Sequence, residues 1–269
     1  MKYKIYIIDA FTDRLFSGNP AAVILLSQWI DEGLMQSIAA ENNLSETAFV
    51  VEDKRKYYIR WFSPLKEIDF CGHATLASAY VLFQKHKEKE EIAFYAKDVG
   101  DFLVNRLKND MIEMHFPARK PHKVEDVPSW LYQGLSIKPV DVYRNQQAYF
   151  AIYENEEDIY AVMQETEIIK KLSPYDVVVT APVAVTAVSK TYDFVSRYFW
   201  PASGGAEDPV TGSIHTGLAP FWGERLGKQE MIAYQASSRG GILYCSITEE
   251  MVSISGKAVR YMEGIIDIG

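Results

Sequence analysis

The chain has 269 residues, 48% of them apolar and 24% charged, with a net charge of −8 and a pI of about 5.2. That length holds two domains of ordinary size, and the composition is that of a soluble globular protein. The acidic balance disfavours nucleic acid as a partner, two cysteines (Cys71 and Cys245) form no disulfide framework and suit a reducing cytoplasm, and no segment reaches the roughly 20 apolar residues that cross a bilayer.

Residues 2–10, rich in Ile and Tyr, read as a first strand, since the apolar run is too short for a signal peptide and Asp9 cuts it. Gly18-Asn19-Pro20 marks a turn before a second strand over 21–26. A helix is expected over 31–43, beginning near Asp31, placing Leu34, Ile38 and Ala39 inward, and stopping at Asn42-Asn43. Strands follow over 47–52 and 57–63. Residues 73–86 form a helix with no polar face over its first three turns: Ala74, Leu76, Ala77, Ala79, Val81, Leu82 and Phe83 surround it, so it is buried on all sides. Three further strands are expected over 92–96, 102–107 and 111–116. The proline- and charge-rich stretch 117–128 reads as a linker.

The second half repeats this order. Strands over 140–143 and 148–153 precede a stretch, 156–172, that mixes a helix with acidic loops. Strands over 177–181 and 183–188 are interrupted by Pro182, and another covers 192–199. A helix then runs from Ser213 to about Gly223, with Pro220 as a kink or late stop. Strands over 231–235, 242–248 and 251–255 follow, and 259–261 adds one more. No Gly-x-Gly-x-x-Gly follows a strand and no phosphate-loop Lys is present, so nucleotide folds lack support and no cofactor is expected. Strand-rich halves, each with one apolar helix, indicate a duplicated α+β architecture: an N-terminal lobe over 1–117, a C-terminal lobe over 118–255, and residues 256–269 returning to the first.

Each half carries a polar glycine turn at the head of its buried helix. In Asp69-Phe70-Cys71-Gly72-His73-Ala74-Thr75, the helix start offers backbone N–H groups and partial positive charge to an anion, Gly72 lets a substrate carboxylate approach, and His73 donates a hydrogen bond or a proton. A helix cap with a packed histidine and a buried cysteine is the plainer alternative. Cys-x-His is not a metal spacing, and no second Cys/His cluster completes one, so no metal is expected. The second turn, Gly205 to His215, contains Glu207, Asp208, Thr211, Gly212 and Ser213. Thr211-Gly212-Ser213 would again present N–H groups to an anion. Two acids, a proline and a glycine exceed what capping needs, which singles out Asp208; Glu207 reads equally as structural, and His215 as a core histidine. In Asn43-Leu44-Ser45-Glu46-Thr47, Glu46 sits between a helix end and an apolar strand, where burial would disfavour its charged form and tune it for proton transfer; an exposed loop acid is the alternative. The segments around Asn19 and Arg239 read equally as turns.

Taken together, these segments resemble the PhzF-like phenazine-biosynthesis family of the diaminopimelate-epimerase-like superfamily. The residues that carry the likeness are Asp9 to Thr12, Phe16 to Val23, Asn43 to Thr47, Phe62-Ser63-Pro64, Glu67, Phe70 to Thr75, Glu207 to Ser213 and Arg239-Gly240-Gly241. The resemblance implies two similar lobes, each a β-barrel-like sheet around a central helix, with the active site in the cleft between them. It implies Glu46 as proton shuttle, His73 and Asp208 as its helpers, and Asn19, Cys71, Gly72, Thr211, Gly212 and Ser213 around a small carboxylate substrate. It also implies a homodimer. Racemising relatives use one cysteine in each turn; Cys71 stands at the first position, but Thr211 stands at the second, and a hydroxyl cannot replace a thiolate base. The expectation is therefore a cofactor-independent isomerase. A racemase or epimerase using Cys71, and a binding protein that has lost turnover, are the alternatives.

Overall fold

The computed structural model describes residues 1–53, 56–184, 192–202 and 204–269. The chain divides into two compact units, Met1–His115 with Ser255–Gly269, and Phe116–Ile254.

In the first unit β1 (Lys2–Ala10) is antiparallel both to β2 (Asn19–Leu26) and to the C-terminal strand β18 (Ala258–Asp267). Helix α1 (Glu32–Asn42) carries the chain from β2 to the parallel strand β3 (Glu46–Asp53), with Ala21 opposite Glu46. Asp31 caps this helix by accepting the Leu34 amide at 3.1 Å, and Asn43 ends it in the left-handed region, as the Asp and Asn-Asn signals foretold. Antiparallel β4 (Lys56–Phe62) follows and pairs with the short β5 (Glu67–Ile68). Then α2 (Gly72–Lys85) leads to β6 (Glu91–Ala96), parallel to β4, and β7 (Gly100–Arg106) and β8 (Ile112–Pro117) continue antiparallel. Gly72 to Ala79, Val81, Leu82 and Phe83 of α2 are all buried. Its hydroxyls do not oppose this, because Thr75 and Ser78 donate to the Cys71 and Ala74 carbonyls at 2.6 and 2.7 Å.

The second unit repeats the pattern. After β9 (His122–Lys123) and α3 (Ser129–Gln133), β10 (Asp141–Arg144) and β11 (Ala148–Ile152) form an antiparallel pair. The helices α4 (Glu156–Ala161) and α5 (Thr166–Ile169) lead to β12 (Asp176–Pro182), parallel to β11. Antiparallel β13 (Phe194–Phe199) pairs with the short β14 (Glu207–Asp208), just as β4 pairs with β5. Then α6 (His215–Leu226) leads to β15 (Glu230–Gln235), parallel to β13, followed by β16 (Gly241–Ile247) and β17 (Met251–Gly256). Each glycine turn thus follows a two-residue strand and opens the buried helix of its unit, the duplicated α+β order that the sequence indicates.

Several boundaries differ from expectation. The helix expected from Ser213 begins at His215 and passes Pro220 to end at Leu226. Proline removes the donor that the Thr216 carbonyl, four residues earlier, would use; the Arg119 amide supplies one instead at 2.9 Å, so the helix continues. The same contact corrects the expected linker at 117–128: Ala118 and Arg119 donate to Glu250 and Thr216, and β9 pairs with β10, so the stretch is part of the second unit. The expected strand over 183–188 lies largely outside the described residues. The short strand expected over 259–261 is the ten-residue β18, whose ladder with β1 runs from Ala10 opposite Ala258 to Lys2 opposite Asp267. Its side chains are largely exposed, so backbone pairing holds it and hydropathy signals it weakly.

Candidate active site

Parallel pairing of β2 with β3 sets Asn19 and Glu46 at the starts of neighbouring strands, and α2 brings in Cys71, Gly72 and His73. His73 Nε2 lies 3.0 Å from Glu46 Oε2, and its Nδ1 lies 3.2 Å from Asn19 Nδ2 and 3.4 Å from Cys71 Sγ. Ser45 donates to Asn19 Oδ1 at 3.2 Å, which leaves the amide nitrogen of Asn19 to face the ring. In the neutral imidazole Nδ1 therefore accepts, and the remaining N–H sits on Nε2, toward Glu46. Asn19 is fully buried, and Glu46, Cys71 and His73 are 7%, 6% and 5% exposed. The Glu46 carboxylate is thus a buried group, not the exposed loop acid of the alternative reading. Its Oε2 is close enough to His73 for an ion pair yet has no partner in hydrogen-bond geometry. Burial by itself lowers the His73 pKa, but its neighbours Cys71 and Glu46 outweigh burial and hold the imidazole well above 6.5. Burial first, and then the Glu46 charge, push the Cys71 thiol up to about 11, so it is neutral near pH 7. Cys71 occupies the cap position of α2 without a side-chain cap, so the first-turn amides have no intrahelical acceptors.

The second turn is organised from within its own unit. Thr211 donates its hydroxyl to Asp208 Oδ2 at 2.5 Å and its amide to Gln235 Oε1 at 2.9 Å. Gln235 Nε2 donates to the Asp208 carbonyl at 2.8 Å. The expectation that Thr211 presents its N–H to an anion is therefore corrected: both of its donors are taken by the turn. Gly212 accepts the His215 amide through its carbonyl at 3.1 Å, and Ser213 Oγ accepts from Gln147 Nε2 at 2.9 Å. Gln147 also reaches the Tyr198 hydroxyl at 3.1 Å, which donates to Asp176 at 2.8 Å. Glu207 is structural: Arg197 grips it at 2.8 and 2.9 Å and donates to the Val162 carbonyl at 2.7 Å. His215 is a core residue, fully buried, with Nδ1 2.9 Å from the Thr211 carbonyl. The Ser237 to Gly241 loop joins the hairpin of β15 and β16, with Gly240 at φ 65°.

One unit gathers Asn19, Glu46, Cys71, Gly72 and His73, and the other Asp208, Thr211, Gly212 and Ser213. Sequence reasoning missed Ser45, Gln147, Tyr198 and Gln235. Ser45 sits inside the motif that pointed to Glu46; Gln235 had one faint signal, an amide ending an otherwise apolar strand.

Among the described residues, Glu46, Cys71 and His73 also form a three-donor set, a carboxylate oxygen, a sulfur and a ring nitrogen all within 4.8 Å of one another. No helix among the described residues is long and apolar enough to cross a membrane.

This arrangement has close counterparts. Residues 8–264 match the family described as phenazine biosynthesis-like protein. The chain belongs to the phenazine biosynthesis-like family. It is 43% identical, over the whole of both chains, to a Pseudomonas aeruginosa protein described as an uncharacterized isomerase. A protein of Halalkalibacterium halodurans with the same description is 41% identical over 97% of each chain. Among solved structures, a phenazine biosynthesis protein of the PhzF family from Enterococcus faecalis is 39% identical, covers all of both chains, and superposes with a TM-score of 0.92.

Proposed function

We propose that the enzyme is a cofactor-independent isomerase that moves a proton on a small carboxylate-containing substrate, with Glu46 as the group that takes and returns it. The observation that carries this reading is the buried Glu46 carboxylate, one oxygen of which lacks a hydrogen-bond partner while lying 3.0 Å from His73. Glu46 removes a proton from a carbon next to the substrate carboxylate and delivers it elsewhere on the conjugated system. His73, whose Nε2 faces Glu46, shares that proton and steadies the charge on the carboxylate. The uncapped first turn of α2, at Gly72, binds the substrate carboxylate, with Asn19 and Cys71 lining the same end. In the second unit Asp208 and Ser213 place the substrate and assist proton delivery, with Thr211 and Gly212 shaping the turn that carries them. General acid–base help of this kind contributes about 10²–10⁴-fold. A base built on Cys71 has less support, because its thiol is neutral near pH 7.

The test is solvent-deuterium incorporation into substrates screened from small unsaturated and amino acids. Glu46→Gln should reduce exchange by about 10²–10⁴-fold while substrate still stabilises the protein against heat. Exchange retained at the unaltered rate would refute the role of Glu46. A homodimer and a cytoplasmic site belong to the same proposal; sedimentation and cell fractionation check them.

A further inference from the structure

We propose that Asp176, Tyr198 and Gln147 form a positioning relay that fixes the Ser213 hydroxyl as a hydrogen-bond donor, so that the turn before α6 selects a carboxylate oxygen over an ammonium group. The inference rests on the proposed role of Ser213 in placing the substrate. Chain spacing hides the relay, whose members come from β12, β13, the turn between β10 and β11, and the turn before α6.

The hydrogen bonds give each group one direction. An ionised aspartate only accepts. The Tyr198 hydroxyl donates its single hydrogen to Asp176 Oδ2 at 2.8 Å, so its oxygen is left to accept. Gln147 Nε2, 3.1 Å away, meets that need with one of its two hydrogens. The other goes to Ser213 Oγ at 2.9 Å. A serine oxygen that accepts from Gln147 sends its own hydrogen elsewhere. Ser213 is half-buried, and among the described residues no acceptor takes that hydrogen. Turning the Gln147 amide over would aim its oxygen at Ser213. It would also set that oxygen against the Tyr198 oxygen, two acceptors face to face, for as long as Tyr198 donates to Asp176.

The backbone holds the members in this order. The Asp176 amide donates to the Gln147 carbonyl at 3.2 Å, and in the parallel pairing of β11 with β12 Ala148 stands opposite Asp176. The Gln147 amide donates to Asn145 Oδ1 at 2.8 Å, and Asn145 Nδ2 donates to the Arg119 carbonyl at 3.0 Å. Tyr198 is 4% exposed, and in the register of β13 with β14 it stands opposite Asp208. The relay thus links the strand beside Asp208 to Ser213. A carboxylate oxygen pairs the outward hydrogen of Ser213. An ammonium group takes only the remaining lone pair of Oγ and leaves that hydrogen unpaired, which favours the carboxylate.

Neutron diffraction from deuterium-exchanged crystals of the intact chain reads the relay without substrate. The Tyr198 deuteron should point at Asp176, the two on Gln147 Nε2 at Tyr198 and Ser213, and the Ser213 deuteron away from Gln147. A Ser213 deuteron aimed at Gln147 overturns the proposal. Acetate and methylammonium, titrated by NMR at the Gly212 amide, test the ligand class. Acetate should bind at least about fivefold more tightly; equal affinity, or no acetate binding, overturns it. Gln147→Met should weaken acetate binding about 5- to 10-fold in the unaltered chain and change nothing in the Ser213→Ala background. Equal losses in both backgrounds show that Gln147 acts apart from Ser213 and overturn the relay. If Gln147→Met does not fold, Tyr198→Phe takes its place in the same cycle, and the neutron result decides whatever either variant does. Neither readout involves Glu46, so failure here leaves its role untouched, and exchange retained in Glu46→Gln leaves the relay untouched.

Discussion

Replacing Gln235 by methionine tests how the Asp208 turn is held. Gln235 is fully buried at the end of β15, accepts the Thr211 amide at 2.9 Å, and donates to the Asp208 carbonyl at 2.8 Å. Methionine is of similar length but has no amide, so both backbone groups lose the partner that Gln235 supplies. A buried polar group left without its partner costs about 1–3 kcal/mol, giving about 2–6 kcal/mol for two. The thioether is better suited to a buried site than the amide, which recovers part of this. The expected loss is about 3 kcal/mol, or a fall of about 6–12 °C in Tm for a chain of this size. Urea unfolding followed by circular dichroism measures it, with the denaturant slope unchanged. Isomerase activity should fall more than unfolding explains, because the Thr211–Asp208 contact depends on the same amide. A loss under about 0.5 kcal/mol with the turn intact would refute the reasoning that Gln235 is the internal clamp of this turn.

Three further outcomes follow from packing and charge. Gly217→Ala places a methyl 2.7 Å from Phe150 Cζ and 3.1 Å from the Arg119 carbonyl, so crowding outweighs the gain in helix propensity and stability falls by about 1–2 kcal/mol. Gly264→Ala, whose methyl meets Ile5 only at 3.9 Å, should stay within about 0.5 kcal/mol in the same unfolding experiment. Burial holds the His215 pKa down at about 4, the Thr211 carbonyl offsetting it only in part. The unfolded chain therefore takes up this proton first, and stability falls as pH drops from about 6.5 to about 4, by up to about 3 kcal/mol, then levels. His215→Leu is less stable at pH 7 but lacks that part of the acid slope; an unchanged slope would contradict the assignment.

The local chemistry of the helix ends and strands was readable from neighbouring residues. Asp31 and Asn43 bound α1 where an Asp and an Asn-Asn pair announce them, and the apolar circumference of residues 74–83 is that of a helix buried on every side. Where a distant group intervened, the reading failed. Pro220 does not end α6, because Arg119 supplies the missing donor from nearly a hundred positions away in sequence. β18 extends to Asp267 because β1 pairs with it, not because its own pattern is apolar.

The candidate site divides in the same way. Sequence alone determined which residue types were present at Glu46, Cys71, His73 and Asp208, that each glycine turn opens a buried helix, and that the two halves repeat one order. These depend on spacing within a few residues, which the chain displays directly. Tertiary structure alone decided that Glu46 is buried against His73, that Glu207 belongs to Arg197 while Asp208 belongs to Thr211, that Gln235 holds the Asp208 turn, and that Ser45 orients the Asn19 amide. Those facts depend on which strands pair and in what register: opposing Ala21 to Glu46 puts Asn19 and Glu46 at one end of the sheet, and no local propensity specifies that pairing.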